Sequence, residues 1–189
     1  MNLKHLQPLP WESIWNDWRQ NEEESWRAHY TERGFDSWDA WRSRYFEVFD
    51  PRKFSWDQYR LENPLVDVPE MFVGPFRGWV PYYKDREHSR FKNIVQHPKF
   101  LGDEKDVKVR EIVQWFPEKT QLIALRCMDK VMIVEGTHRS CAIALAAQEG
   151  LGLESEILIA LTDVDEQTFE QVFNHVVVVP YAHELKEQV

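Results

Sequence analysis

The stretch Val131-Met132-Ile133-Val134-Glu135-Gly136-Thr137-His138-Arg139-Ser140-Cys141 decides how this chain is read. The unbroken apolar run from Val131 to Val134 reads as a buried strand. It stops at Glu135-Gly136, and the alanine-rich stretch from Thr137 to Ala147 predicts a helix. Where a strand feeds a helix through a glycine, the first helical N–H groups have no internal partner. Together with the helix dipole they form a site for an anion such as phosphate. Here a carboxylate, a hydroxyl, an imidazole and a guanidinium ring that corner.

Outward from this corner, Gln121–Met128 and Val131–Val134 are spaced as a hairpin across Asp129-Lys130, although that turn lacks the usual glycine. Ile157–Leu161 and Val176–Val179 supply further strands, with a helix near Glu166–Asn174 between them. Arg90–Gln96 and Val107–Phe116 read as helices, stopped by Pro98 and Pro117. Val66–Val73 alternates imperfectly and is the candidate first strand of this unit. Gly74-Pro75-Phe76-Arg77-Gly78-Trp79 suits a ligand-facing loop and an ordinary tight turn equally well.

The first sixty residues carry a loose recurrence of serine, an aromatic residue and a second aromatic three or four positions on. Ser13 to Arg19, Ser25 to Tyr30, Ser37 to Arg42 and Ser55 to Arg60 all follow it. The pattern predicts short amphipathic helices at about Trp11–Arg19, Glu22–Tyr30, Ser37–Val48 and Ser55–Leu61, broken at Gly34 and Asp50-Pro51. The aromatic stripe reads first as core packing, with a partner-docking surface as its functional rival. The expected organisation is therefore α+β: a Trp-rich helical segment over residues 1–62, then a mixed sheet with helices over residues 63–189.

Composition narrows the function. With 189 residues the chain fits one elaborated domain or two small ones. No apolar run approaches the length of a membrane span, and the start lacks an apolar signal segment, so a cytoplasmic location is expected. Cys127 and Cys141 make no disulfide framework and are expected to be reduced. A net charge of −9 argues against non-specific binding to duplex DNA. The charge is uneven, however: residues 77–130 carry 12 basic and 8 acidic groups, while both flanking thirds are net acidic. A basic third just before the corner suits a pocket for an anionic ligand, although Arg86, Arg90 and Lys92 are equally compatible with a solvated helix face.

Glu135-Gly136-Thr137-His138-Arg139-Ser140 resembles the motif of the ParB/sulfiredoxin superfamily, whose members carry an acid or glycine, then Gly, one or two variable residues, then His-Arg or Arg-Arg. The alanine-rich helix ending near Gly150, the strand at Ile157–Leu161 and a helix opening at Asp163–Asp165 look similar as well. The resemblance implies a ParB/sulfiredoxin-like fold for residues 63–189. It does not single out a reaction, because the superfamily hosts nucleotide-binding partition proteins, a thiol-dependent reductase, free-serine kinases and nucleases. Thr137 stands where the reductases keep their reactive cysteine. The Arg-Arg pair and DNA-binding unit of partition proteins are missing too. Both roles are set aside.

For the individual residues, Gly136 brings the helix start close to a ligand, and Arg139 offers a phosphate-directed fork. His138 is a phosphate donor or general acid/base, while Thr137 and Ser140 cap the helix or touch phosphate. Glu135 takes a proton or, as a hard oxygen ligand, helps to hold Mg²⁺ against a nucleotide phosphate. Gly136, Thr137, His138, Arg139 and Ser140 thus form the expected nucleotide contact, with ATP or another nucleotide and Mg²⁺ as expected cofactors. Glu135 and His138 are the expected catalytic pair for kinase-like phosphoryl transfer. Asp85 and Glu87 lie in roughly the right region for a further base. The rival readings are a non-catalytic ligand sensor with a protein partner on its Trp-rich front, and a ParB-like nuclease.

Overall fold

The computed structural model describes residues 1–74 and 76–175; the strand expected at Val176–Val179 lies outside them. In chain order the elements are β1 (Leu3–Pro8), α1 (Trp11–Glu32), α2 (Trp38–Arg42), β2 (Asp57–Leu61), α3 (Pro64–Asp67), β3 (Phe72–Val73), α4 (Phe91–Ile94), α5 (Glu104–Gln114), β4 (Lys119–Cys127), β5 (Lys130–Glu135), α6 (Thr137–Glu149), β6 (Glu156–Asp163) and α7 (Glu166–Asn174). Short 3₁₀ turns fill several of the connections. The strands form one mixed sheet in the order β1-β2-β6-β4-β5-β3. β4 and β5 form a hairpin, and β6 is added parallel to β4 on its other side after the α6 crossover, so that β6 and β4 are the central pair.

The hairpin turns at Met128-Asp129, closing on the Cys127–Lys130 pair. Met128 takes φ of 53°, so a methionine occupies the left-handed conformation that glycine usually supplies.

Alternation along the central strands sends side chains into two cores. Val131 and Ile133 of β5, Leu122 and Ala124 of β4, and Ile157, Ile159 and Leu161 of β6 face an aliphatic core completed by α4, α5 and α6. Met132, Val134, Ile123, Leu125 and Ala160 face the opposite way, onto an aromatic core built by α1, α2 and α7. Burial on both faces explains why Val131–Val134 reads as a continuous apolar run. It also explains the composition of α6, whose residues from Ser140 to Ala146 are all buried. Gly150 ends α6 with φ of 68°, a left-handed cap.

Trp11, Trp18, Trp38, Trp41 and Trp56 are all buried in the aromatic core. The tryptophan recurrence is thus mainly packing. Its helical interpretation needs two corrections. The helices expected at Trp11–Arg19 and Glu22–Tyr30 are one helix of 22 residues, since nothing between Trp11 and Glu32 breaks the chain before Gly34, whose φ is 80°. The segment Ser55–Leu61, expected as a helix, contains β2 instead. Sheet pairing on both sides, with Tyr59 opposite His5 and Ile159, overrides the local pattern. A third difference concerns Val66–Val73, where only Phe72 and Val73 are strand. Pro64 and Pro69 place short helical turns before it. Sheet continuity runs across residue 62, because β1 and β2 extend the sheet made by later residues. Among the described residues no helix is long and apolar enough to cross a membrane.

Candidate functional site

At the end of the sheet where β5 gives way to α6, an open cleft of about 1280 Å³ separates α1 and α2 from the start of α6 and from α5. Glu135, Gly136, Thr137, His138 and Arg139 all line it, so the structure brings five of the six motif residues to one surface. Ser140 is the exception. It is fully buried and its hydroxyl finds no hydrogen-bond partner among the described residues.

Gly136 caps α6 with φ of 95°. A Cβ at this position would run into the Leu122 side chain, so the corner needs glycine on grounds of both conformation and space. The cap has no side-chain hydrogen bond, and the first N–H groups of α6 therefore lack a capping side chain.

Arg139 donates to Glu135 Oε1 at 2.5 Å and to the Thr120 hydroxyl on β4. Burial pushes the Glu135 carboxyl above its usual range; Arg139 opposes that shift and Glu22 adds to it. Glu22 belongs to a second pair across the cleft, in which Arg42 Nε and Nη2 donate to Glu22 Oε2 at 2.9 and 2.5 Å. Arg42 is only 7% exposed and lies over the rings of Trp41, Tyr45, Trp18 and Trp26, at 4.0 to 5.5 Å from their centroids. Two acid–arginine pairs, one on each wall, are thus near enough to act on each other.

His138 packs edge-on against Trp79 with ring centroids 5.0 Å apart. Its pKa is pushed down to about 4, first by burial and then by the charges of Lys108, Lys105 and Arg139. The imidazole is therefore neutral near pH 7 and sits amid three cations. Lys105 Nζ donates to the Tyr82 hydroxyl at 3.2 Å, and Lys108 Nζ lies 6.0 Å from the Trp26 ring centroid on the opposite wall. Among the described residues neither lysine, nor Arg77, has a carboxylate within ion-pair distance. In total the cleft is lined by seven Lys/Arg side chains and three Asp/Glu. In a chain of net charge −9, it is a local basic field.

From the Gly74–Trp79 segment, Phe76, Arg77, Gly78 and Trp79 lie on the cleft wall. Other expected participants lie elsewhere. Asp85 caps a short turn and pairs with His88, and Glu87 approaches Lys130; neither lines the cleft. Arg90 and Lys92 pair with Glu70, while Arg86 donates to the carbonyls of Phe173 and Val73. Both cysteines are free and buried, and burial raises the Cys141 thiol well above its ordinary value. Sequence reasoning did not find Glu22, Arg42, Thr120, Lys105 or Lys108. The basic character of residues 77–130 was the one signal that pointed toward the two lysines.

As a resident Mg²⁺ site the donor set fits poorly. The carboxylates of Glu135 and Glu22 each have an oxygen engaged by an arginine, and no group of three or more His, Cys, Asp or Glu among the described residues is arranged to hold a metal. Comparison with protein-family models, with curated proteins and with solved structures finds no match.

Proposed function

We propose that this protein binds a nucleotide or another phosphorylated small molecule in the cleft, with phosphate held by Lys105, Lys108, His138 and the first N–H groups of α6. The observation that carries this reading is the charge distribution of the site. Glu22 and Glu135 are already matched by Arg42 and Arg139, and Lys119 pairs with Glu156, so Lys105, Lys108 and Arg77 leave a positive surplus facing a helix N-terminus. The motif arginine holds the acid beside it and braces β4 against the corner, while the two lysines of α5 supply the anion contact. The strand–glycine–helix corner and the basic cleft beside it also support a ParB/sulfiredoxin-like assignment, which belongs to the same proposal.

Five tryptophans line the cleft (Trp18, Trp26, Trp41, Trp79 and Trp115), so titration with ADP, followed by intrinsic fluorescence, reads occupancy directly. Saturable quenching is expected, and Lys105→Ala with Lys108→Ala should weaken it at least about tenfold, since charge-assisted contacts contribute roughly 1.5–3 kcal/mol each. An unchanged affinity in the double variant would remove the proposed phosphate site. A kinase-like reading is favoured by one observation only, the raised pKa of Glu135, which suits a group that carries a proton. Nucleotide turnover that disappears in Glu135→Gln while ADP affinity persists would establish it; binding without product in the unaltered protein establishes a sensor.

A further inference from the structure

A mononucleotide leaves much of this cleft unused. Small-molecule sites usually enclose roughly 300–1,000 Å³, and the opening here reaches about 1280 Å³. Its length is lined by groups that repeat in kind. Trp26 on α1 is half-buried, and Trp115, which follows α5, is 84% exposed at the rim. Two aromatic faces on different walls can each stack one planar ring, and base–aromatic stacking tolerates any base. Cations sit between and beyond them: Lys108 reaches across toward Trp26, and Arg77 stands on the neighbouring loop.

The floor carries amides rather than acids. Gln58 Nε2 donates to Gln121 Oε1 at 2.6 Å and Gln58 Oε1 accepts from Gln7 Nε2 at 3.2 Å, which leaves the second Gln58 amide hydrogen and the Gln121 amide NH₂ for other partners. In addition, Trp18 lines the cleft with its indole N–H buried and without a hydrogen-bond partner among the described residues. Aromatic faces, unpaired cations and amide edges on one cleft suit a chain of bases and phosphates better than a single anion.

We infer that the ligand is a single strand of linked nucleotides, two or more units of which lie in the cleft between Trp26 and Trp115. The inference rests on the nucleotide reading above and extends it from one phosphate to several. The acidic exterior confines the contact to this opening and repels a duplex, whose two backbones would meet the protein's net negative charge.

The test compares thymidine monophosphate, the dinucleotide and the tetranucleotide of thymidylate by fluorescence titration at two salt concentrations. Affinity is expected to rise at least tenfold from mononucleotide to tetranucleotide. The salt dependence should steepen by roughly 0.7 in log–log slope for each added phosphate contact. Trp115→Ala, a change at a largely exposed residue that the fold tolerates, should weaken tetranucleotide binding more than mononucleotide binding. Mononucleotide and tetranucleotide binding within twofold of each other overturns the inference and leaves the nucleotide reading standing. Absence of binding by all three overturns both. A Trp115→Ala variant that loses nothing specific to length also overturns the placement of the strand.

Discussion

The two walls of the cleft use arginine and lysine in opposite ways. On the α1–α2 wall Arg42 is buried, matched by Glu22 and enclosed by four aromatic rings. On the α5–α6 wall Lys105 and Lys108 have no carboxylate partner among the described residues and surround a neutral His138. The first wall spends its charge on holding two helices together, whereas the second leaves both lysine charges without an acid among the described residues. A cation lining a cleft is therefore not by itself a ligand contact. What separates the two cases is whether an acid already answers it.

The comparison breaks first at Glu22. Truncation to alanine leaves the Arg42 guanidinium buried and unpaired, and losing one partner of a buried pair typically costs about 3–5 kcal/mol. Urea denaturation of Glu22→Ala should show a loss toward that size, whereas Lys108→Ala should stay within about 0.5 kcal/mol of the unaltered protein. A cost below about 1 kcal/mol for Glu22→Ala would mean that the pair does not brace this wall.

A smaller effect sharpens the other side. The His138 pKa in the fold, about 4, lies below the ordinary value of 6.5. Its contribution to stability is therefore present above pH 6.5 and is lost as pH falls through that window toward 4. A bound anion favours the imidazolium and so raises this pKa. Sulfate, which stays a dianion throughout, should accordingly bind several-fold more tightly at pH 5 than at pH 7. Protonation of Glu135, whose carboxyl is also raised, acts in the same direction by releasing Arg139. Replacing His138 with glutamine should remove the histidine share of the effect and flatten the profile. A profile unchanged by that substitution would place the anion away from His138.

Much of the corner was legible because local rules agree there. The β4–β5 hairpin, the Gly136 turn, the full length of α6 and the span of α7 follow from apolar runs, a glycine and helix signals that lie close together in sequence. The strands β1 and β2 were not legible. Apart from Leu61 their side chains are half-buried or exposed, and only pairing with distant partners makes Asp57–Leu61 a strand. The site follows the same division. Glu135 to Arg139 could be located from six adjacent residues, but Arg139 meets Thr120 across 19 positions and Arg42 meets Glu22 across 20. Local patterns place a corner; they do not say which charges the fold will bring to meet it.

The most direct measurement is the crystal structure of the protein soaked with ADP. Phosphate density between Lys105, Lys108 and His138, within hydrogen-bond distance of the first N–H groups of α6, is the predicted result. Density that bypasses those groups, or a cleft without ligand at saturating ADP, would contradict the assignment of the α5–α6 wall to phosphate.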